Sequence, residues 1–129
     1  MRLSARSEDS ETSKEPEAQH PLAVPPGAWL EVLAGFYEGL EVPLDRDRLV
    51  IGRGGGAGLL FAEVSLSRAH AAIGFNGREF FVQDLGSTNG TFLNGAKITQ
   101  ATLGDGDEIR LGKLTLRVTL PKGSSTTLE

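Results

Sequence analysis

The stretch LTLRVTL, residues 114–120, alternates leucine or valine with threonine or arginine. Because successive side chains of a β-strand point to opposite faces, this period of two predicts a strand with one buried face. Similar short runs, apolar or alternating and rich in β-branched or aromatic residues, lie at residues 29–33, 39–44, 48–51, 69–75, 79–84, 91–93 and 108–111. No long segment shows a helical period. The pattern therefore predicts an all-β sandwich or barrel of antiparallel strands.

Turn residues separate these runs. Asn76-Gly77 and Asn94-Gly95 each favour a type I′ hairpin, in which both central residues need positive φ. The stretch GDGD, residues 104–107, predicts another turn. Short strands at this spacing, joined by tight turns, are typical of a sandwich.

Composition argues against several classes of protein. The 129 residues suit one ordinary domain, and the absence of cysteine excludes disulfides and argues against a metal site. A net charge of −4 gives no electrostatic basis for nucleic-acid binding. No apolar run approaches the roughly 20 residues of a membrane span, and the N-terminus lacks a secretory apolar stretch. A soluble cytoplasmic protein without cofactors is therefore expected.

Three parts are expected along the chain. Residues 1–27 read as a disordered acidic tail with a proline-rich linker, because they contain little that could be buried. Residues 28–121 form the expected domain. Residues 122–129 are polar and are expected to be loose, and the final Leu128-Glu129 could equally be a cloning scar.

Two motifs are similar to those of enzymes, but the neighbouring residues that each enzyme motif requires are missing. The stretch GRGGGA, residues 52–57, fits the dinucleotide pattern G-x-G-x-x-A, yet no helical period follows it. Ser67 and His70 offer a nucleophile and a base, but a hydrolase would also need an orienting acid and an oxyanion site, and no Gly-x-Ser-x-Gly elbow is present. Catalysis is therefore not expected, and His70 is interpreted as structural.

Polar residues at the ends of predicted strands indicate anion binding. They are Arg53, the pair Ser67-Arg68 and the pair Thr88-Asn89. Loops at one end of a sandwich cluster in space, and arginine offers a planar fork suited to phosphate oxygens, while hydroxyl and amide groups can complete a cage. Spacing alone leaves open whether these loops converge, and residues 84–92 are equally compatible with a plain hairpin connection.

The order Gly52-Arg53, then SRAH at residues 67–70, then STNG at residues 87–90 resembles the forkhead-associated (FHA) family. The family pattern is Gly-Arg, then Ser-x-x-His, then Ser-x-Asn-Gly. The resemblance covers residues 29–120 and implies an FHA-type sandwich of two antiparallel sheets, with about eleven strands and recognition loops at one end. It further implies phosphothreonine-dependent binding of a protein partner in bacterial signalling, without catalysis, metal or small-molecule substrate. The partner would be a substrate of a Ser/Thr kinase or the kinase itself.

The resemblance also implies a role for each motif residue. The residues that would bind the phosphate are Arg53, Ser67, Arg68 and Thr88. Asn89 would bond the peptide backbone, and the structural residues of the motifs would be Gly52, His70 and Gly90. A niche for the threonine methyl group would favour phosphothreonine over phosphoserine by ~1 kcal/mol. The glycine-rich run 54–58 departs from the family, which commonly has Asp or Asn there, so the peptide sequence preference stays open.

Two further hypotheses come from the sequence. A phosphate-independent interaction or scaffold domain would use the same sandwich, and equal binding of phosphorylated and unphosphorylated partner would favour it. Thr12 lies in an acidic stretch, residues 9–14, that a kinase could reach. A phosphate on Thr12 would be tethered at high effective concentration and would then inhibit the domain by occupying its pocket.

Overall fold

The computed structural model describes residues 23–121, which form eleven strands and no helix. In chain order the strands are β1 (Trp29–Val32), β2 (Glu41–Pro43), β3 (Arg48–Gly52), β4 (Leu59–Leu60), β5 (Ala71–Phe75), β6 (Phe80–Asp84), β7 (Thr91–Leu93), β8 (Ala96–Ile98), β9 (Gln100–Thr102), β10 (Glu108–Leu111) and β11 (Leu114–Thr119). The predictions for residues 1–22, including Thr12, and for residues 122–129 lie outside the described residues. Val24, which belongs to the predicted tail, packs partly buried against the core.

The strands form two sheets. One has six strands in the order β2-β1-β11-β10-β7-β8, and the other has five in the order β4-β3-β5-β6-β9. Neighbours pair antiparallel except β3 and β4, which run parallel with Ile51 opposite Leu59. The all-β sandwich of about eleven strands implied by the resemblance is confirmed.

The alternation in β11 decides which of its faces enters the core. Leu114, Leu116 and Val118 are at most 4% exposed, whereas Arg117 is exposed. Apolar side chains from both sheets, such as Leu116 from β11 and Ile51 from β3, belong to one buried cluster. Fully burying such a side chain stabilises a fold by roughly 1.5–3 kcal/mol, so this cluster fixes how the two sheets lie against each other.

Three strands escaped prediction from the sequence, namely β4, β8 and β9. Each has only two or three residues, none of them fully buried. All three are edge strands, hydrogen-bonded on one side only. A strand this short and this exposed shows no alternation of apolar and polar residues in the sequence. It is held in place by hydrogen bonds to the neighbouring strand instead.

The two predicted type I′ turns have different backbone conformations. Asn94 and Gly95 have φ of 50° and 88°, which confirms the type I′ prediction. The prediction for Asn76-Gly77 is wrong, because among these two only Gly77 has positive φ. The Asn76 side-chain oxygen instead accepts hydrogen bonds from the backbone N–H groups of Arg78 and Glu79, each at 2.9 Å. This side-chain bonding closes a longer turn without left-handed backbone at the asparagine.

Candidate functional site

The three sequence motifs meet around Ser67. The Arg53 backbone N–H donates to the Ser67 carbonyl at 3.0 Å, and the Gly54 N–H donates to the Arg68 carbonyl at 3.2 Å. The Thr88 backbone N–H donates to the Ser67 hydroxyl at 2.9 Å. The loops after β3, before β5 and after β6 therefore converge at one end of the sandwich.

Gly52 allows two of these loops to touch. A Cβ atom at this position would collide with the carbonyl group of Arg68 and would lie 3.0 Å from the carbonyl oxygen of Ser67. Only a residue without a side chain permits such an approach of backbone to backbone. The glycine of the Gly-Arg motif thus brings Arg53 next to Ser67.

The Arg53 side chain is anchored at its inner nitrogen. Its Nε donates to the Leu66 carbonyl at 2.9 Å, in a partly buried position. Among residues 23–121 the two terminal nitrogens of this guanidinium have no hydrogen-bond partner. The anchor therefore fixes the direction of the fork and leaves its outer donors available to an anion.

Arg68 rests on the glycine-rich run that departs from the family pattern. Its guanidinium nitrogen Nη2 lies 2.6 Å from the place where a Cβ of Gly55 would stand, and Gly55 has φ of +43°. Any side chain at Gly55 would displace this guanidinium. Within the described part of the chain the Arg68 side chain has neither a hydrogen bond nor an ion pair. Arg68 therefore offers a second guanidinium, besides that of Arg53, whose donors are free within the described residues.

His70 is fully buried and ties the motifs together through its ring. The Ser67 N–H donates to Nδ1 at 3.0 Å, so Nε2 carries the ring proton and donates to the Gly90 carbonyl at 2.8 Å. The hydroxyl of Ser67 accepts from Thr88 and makes no bond to the ring. His70 is therefore placed to hold loops and not to deprotonate Ser67.

Asp84 organises the loop at residues 85–90, a role that the sequence analysis missed. Its carboxylate accepts from the hydroxyls of Ser87 (2.5 Å) and Thr91 (2.7 Å) and from the backbone N–H groups of Gly86 and Ser87. Burial raises the pKa of Asp84, but these hydrogen bonds, the Ser87 hydroxyl first, together hold that pKa below its ordinary value. The signal in the sequence was an aspartate followed two residues later by glycine, a pattern compatible with an Asx turn, in which the side chain accepts the backbone N–H two positions on.

Asn89 links this loop to the one before β5. Its Nδ2 donates to the Ser65 carbonyl at 2.8 Å. Among the described residues its Oδ1 has no hydrogen-bond partner, so the amide retains an acceptor for a ligand. Ser65 was not singled out from the sequence, because a serine outside the motifs carries no distinguishing pattern.

These side chains surround an open depression of about 390 Å³, which we call the Arg53 depression. It is lined by Arg53, Val64, Ser65, Leu66, Ser67, Arg68, Ala69, Thr88 and Asn89. Five residues predicted from the sequence line it, whereas Gly52, His70 and Gly90 lie outside the lining. The two charged groups in the lining are both arginines, and guanidinium, hydroxyl and amide groups together suit a phosphate-like dianion.

The described residues were also compared with the requirements of a metal site and of a membrane-spanning helix. Residues 23–121 contain no group of three or more His, Cys, Asp or Glu side chains that could hold a metal ion. The same residues include no helix of the length and apolarity that crossing a membrane requires.

The sequence is similar to a known domain family and to a bacterial protein that carries it. The FHA domain family matches residues 49–112. FhaB of Mycobacterium tuberculosis strain H37Rv is 35% identical over 91 residues, which is 70% of this chain and 59% of FhaB. The chain thus spans about three-fifths of the length of this bacterial relative.

Two solved structures are similar over nearly their whole length. One comes from a study of phosphothreonine-dependent FHA domain interactions; it is 34% identical with a TM-score of 0.67, covering 73% of this chain and 96% of that one. The other is the FhaA FHA domain in complex with the intracellular domain of Rv3910; it is 35% identical with a TM-score of 0.65, covering 71% and 99%. The chain therefore belongs to the FHA domain family.

Proposed function

We propose that this chain binds a phosphothreonine of a partner protein in the Arg53 depression, and that it is a recognition module without catalytic activity. The observation that carries the proposal is the pair of guanidinium groups, from Arg53 and Arg68, that line one depression and have outer nitrogens free of partners among residues 23–121. A dianion would satisfy both. Each charge-assisted hydrogen bond contributes ~1.5–3 kcal/mol.

Ser67 and Thr88 would complete the phosphate cage. The Ser67 oxygen accepts the Thr88 N–H, so the hydroxyl proton of Ser67 remains available as a donor. The Thr88 hydroxyl offers a further donor at the same depression. Arg53, Arg68, Ser67 and Thr88 would thus each present a donor to the phosphate.

Asn89 would hold the peptide beside the phosphate. Because its Nδ2 is engaged by the Ser65 carbonyl, its Oδ1 would accept a backbone N–H of the bound segment. Such a bond positions the peptide chain without reading its side chains. Gly52, His70 and Gly90 would act indirectly, by holding the loops.

The relatives favour a protein partner. A similar structure is described as taking part in phosphothreonine-dependent interactions, and another was solved with the intracellular domain of a second protein. By analogy we propose a substrate of a Ser/Thr kinase, or the kinase itself, as the partner. The bonding of Ser67 and His70 favours binding over hydrolysis, because the histidine makes no bond to the serine hydroxyl.

A heteronuclear NMR titration tests this proposal. The chain is titrated with a degenerate phosphothreonine peptide pool, and with matched unphosphorylated and phosphoserine pools. We expect the amides of Arg53, Ser67, Arg68, Thr88 and Asn89 to shift with the phosphothreonine pool alone. Equal shifts with the unphosphorylated pool would favour the phosphate-independent scaffold instead.

A further inference from the structure

Every asparagine of this chain is followed by glycine, at residues 76–77, 89–90 and 94–95. Such a pair can lose the side-chain amide without an enzyme, because a glycine without a Cβ lets its backbone nitrogen reach the asparagine Cγ. The reaction requires a backbone N–H that is not already bonded and an amide nitrogen that is free to leave. The three pairs meet these requirements to different degrees.

Asn89 is protected at both of the atoms that react. The attacking atom would be the Gly90 backbone nitrogen, but its N–H donates to the Ser87 hydroxyl at 3.0 Å. The atom that must leave, Nδ2 of Asn89, donates to the Ser65 carbonyl at 2.8 Å. Both bonds would have to break before a ring could close, so we expect Asn89 to keep its amide in the folded chain.

Asn94 is protected by its side-chain bonds and by a neighbouring charge. Its Nδ2 donates to a carboxylate oxygen of Asp107 at 3.0 Å, and its Oδ1 accepts the Glu108 backbone N–H at 2.9 Å. These two bonds hold the amide plane in one orientation. The attack would also place negative charge on the asparagine side chain, which the Asp107 carboxylate opposes. We therefore expect Asn94 to stay intact as well.

Asn76 has the opposite arrangement of bonds. Within residues 23–121 its Nδ2 has no hydrogen-bond partner, and neither has the Gly77 backbone N–H. Its Oδ1 alone is bonded, and it accepts the backbone N–H groups of Arg78 and Glu79 at 2.9 Å each. All four residues of this turn are exposed to water. The attacking nitrogen and the leaving nitrogen are therefore both free, while the oxygen is held.

The two bonds to the Asn76 oxygen also favour the reaction itself. When the Gly77 nitrogen attacks Cγ, negative charge develops on Oδ1, which already accepts two backbone N–H groups. Donors placed at a developing oxyanion lower the barrier to its formation, as they do in the oxyanion holes of acyl-transfer enzymes. The turn at residues 76–79 thus supplies this stabilisation as well as the reacting groups.

We propose that Asn76 is a site of spontaneous deamidation in the folded chain, assisted by the two N–H donors to its Oδ1, and that Asn89 and Asn94 are not. The Gly77 nitrogen gives its proton to water or hydroxide and bonds to Cγ of Asn76. The bond from Cγ to Nδ2 then breaks, and Nδ2 takes up a proton from water and leaves as ammonia. Water opens the resulting succinimide at either carbonyl and gives aspartate or isoaspartate, so that water is consumed, ammonia is released and nothing is oxidised.

This modification is separate from the proposed function. Asn76 follows the last residue of β5, whereas Ser67 lies before the first, so the two residues are at opposite ends of the sandwich. Binding of a phosphothreonine peptide should therefore be the same before and after deamidation at Asn76. Failure of either proposal leaves the other standing.

Incubation of the whole chain in water enriched in heavy oxygen tests the proposal, because each new carboxyl group keeps an oxygen of the solvent. Peptide mass spectrometry then gives a rate for each asparagine. In the folded chain we expect Asn76 to react at least about tenfold faster than Asn89 or Asn94. In guanidinium chloride, where the protecting bonds are lost, the three rates should be similar. Similar rates in the folded chain, or an intact Asn76, would overturn the proposal.

Two variants at residue 78 separate the effect of the N–H donors from that of exposure. Arg78→Pro removes the N–H that donates to Oδ1 of Asn76, whereas Arg78→Ala keeps it. Deamidation of Asn76 should be about three- to tenfold slower in folded Arg78→Pro than in folded Arg78→Ala, and equal in guanidinium chloride. Equal rates in the folded variants would overturn the assistance by the donors. If Arg78→Pro does not fold, the comparison of the three asparagines in the unmodified sequence decides.

Discussion

Arg53 and Arg68 carry the same charge, but the structure holds them by different means. Arg53 is fixed through its Nε to the Leu66 carbonyl. Arg68 lies on the backbone of Gly54 and Gly55, with no side-chain bond to orient it among the described residues. The geometry of Arg53 therefore depends on its own guanidinium, and that of Arg68 depends on the absence of side chains beneath it.

The anchoring of Arg53 makes lysine a poor substitute. Lysine keeps the charge but has neither the Nε anchor nor the fork, so Arg53→Lys should weaken phosphothreonine peptide binding roughly tenfold, about 1.4 kcal/mol. The thermal midpoint should change little. Isothermal titration calorimetry measures the loss, with Arg46→Lys as control, since Arg46 is exposed, bonds through its Nε to Asp45 and does not line the Arg53 depression. Affinity unchanged in Arg53→Lys would show that charge alone matters.

The glycine run provides a matched pair of variants. Gly55→Ala and Gly56→Ala both place a side chain at positive φ, +43° and +88°, so each should cost roughly 1 kcal/mol of folding free energy. Only the methyl group added at Gly55 would meet Arg68, because nothing lies within 4 Å of a Cβ at Gly56. Phosphopeptide affinity should therefore fall severalfold more in Gly55→Ala. Equal losses in the two variants would mean that Arg68 does not contribute from this position.

Among the loops, residues 85–90 depend on a single carboxylate. Asp84 holds two hydroxyls and two backbone N–H groups, and the loop carries Thr88 and Asn89 into the site. Because those bonds lower the pKa of Asp84 in the folded chain, the carboxylate form contributes stability. The contribution is present above the unfolded pKa of ~3.9 and is lost as the pH falls through the lower folded pKa.

The lowered pKa of Asp84 predicts how the effect of Asp84→Asn on stability depends on pH. The thermal midpoint of the wild type should exceed that of Asp84→Asn by a constant amount from neutral pH down to about pH 5, and the gap should narrow below about pH 4. Differential scanning calorimetry from about pH 3 to 7 measures it. Asp45→Asn, at an exposed carboxylate beside Arg46, is the control. A gap that widens in acid would contradict the assigned direction of the pKa shift.

The strands and loops also show where sequence reasoning succeeds. Strands β3 and β11 were predicted because each has its own buried alternation. The edge strands β4, β8 and β9 were missed because their neighbours define them. The contact of the turn at Lys113 with the site was missed for a related reason: nothing in the local pattern of β10 and its turn marks it. The hydrogen bond from the Lys113 backbone N–H to the Ser65 hydroxyl, 48 positions apart, brings this turn to the site.

Across the whole molecule, the two sheets supply different parts of the site. Arg53 and Ser67 lie in loops of the five-stranded sheet, whereas the turn at Lys113, whose backbone N–H bonds to Ser65 of the depression, joins two strands of the six-stranded sheet. The loop from β6 to β7 crosses between the sheets and carries Asn89, which lines the Arg53 depression and bonds to the Ser65 carbonyl. The shape of the Arg53 depression thus depends on how the two sheets pack as well as on the loops.

The tail hypothesis also concerns the chain as a whole. If a phosphate at Thr12 enters the Arg53 depression, it should weaken binding of an external phosphothreonine peptide, because the tethered competitor has a high effective concentration. The measurement compares the chain phosphorylated at Thr12 with the unmodified chain, and with Thr12→Ala exposed to the same kinase. Identical external affinities in all three would eliminate self-inhibition.

The buried ring of His70 has a consequence for engineering. It bonds to the loop before β5 and to the loop before β7, and its own backbone N–H donates to Ile51 of β3. The geometry of these three segments therefore depends on their shared contacts with His70. If the loop that carries Arg53 is transplanted alone onto another sandwich, the arginine should lack the surrounding donors and should not bind phosphate. If all three segments are moved together with His70, phosphate binding should be retained.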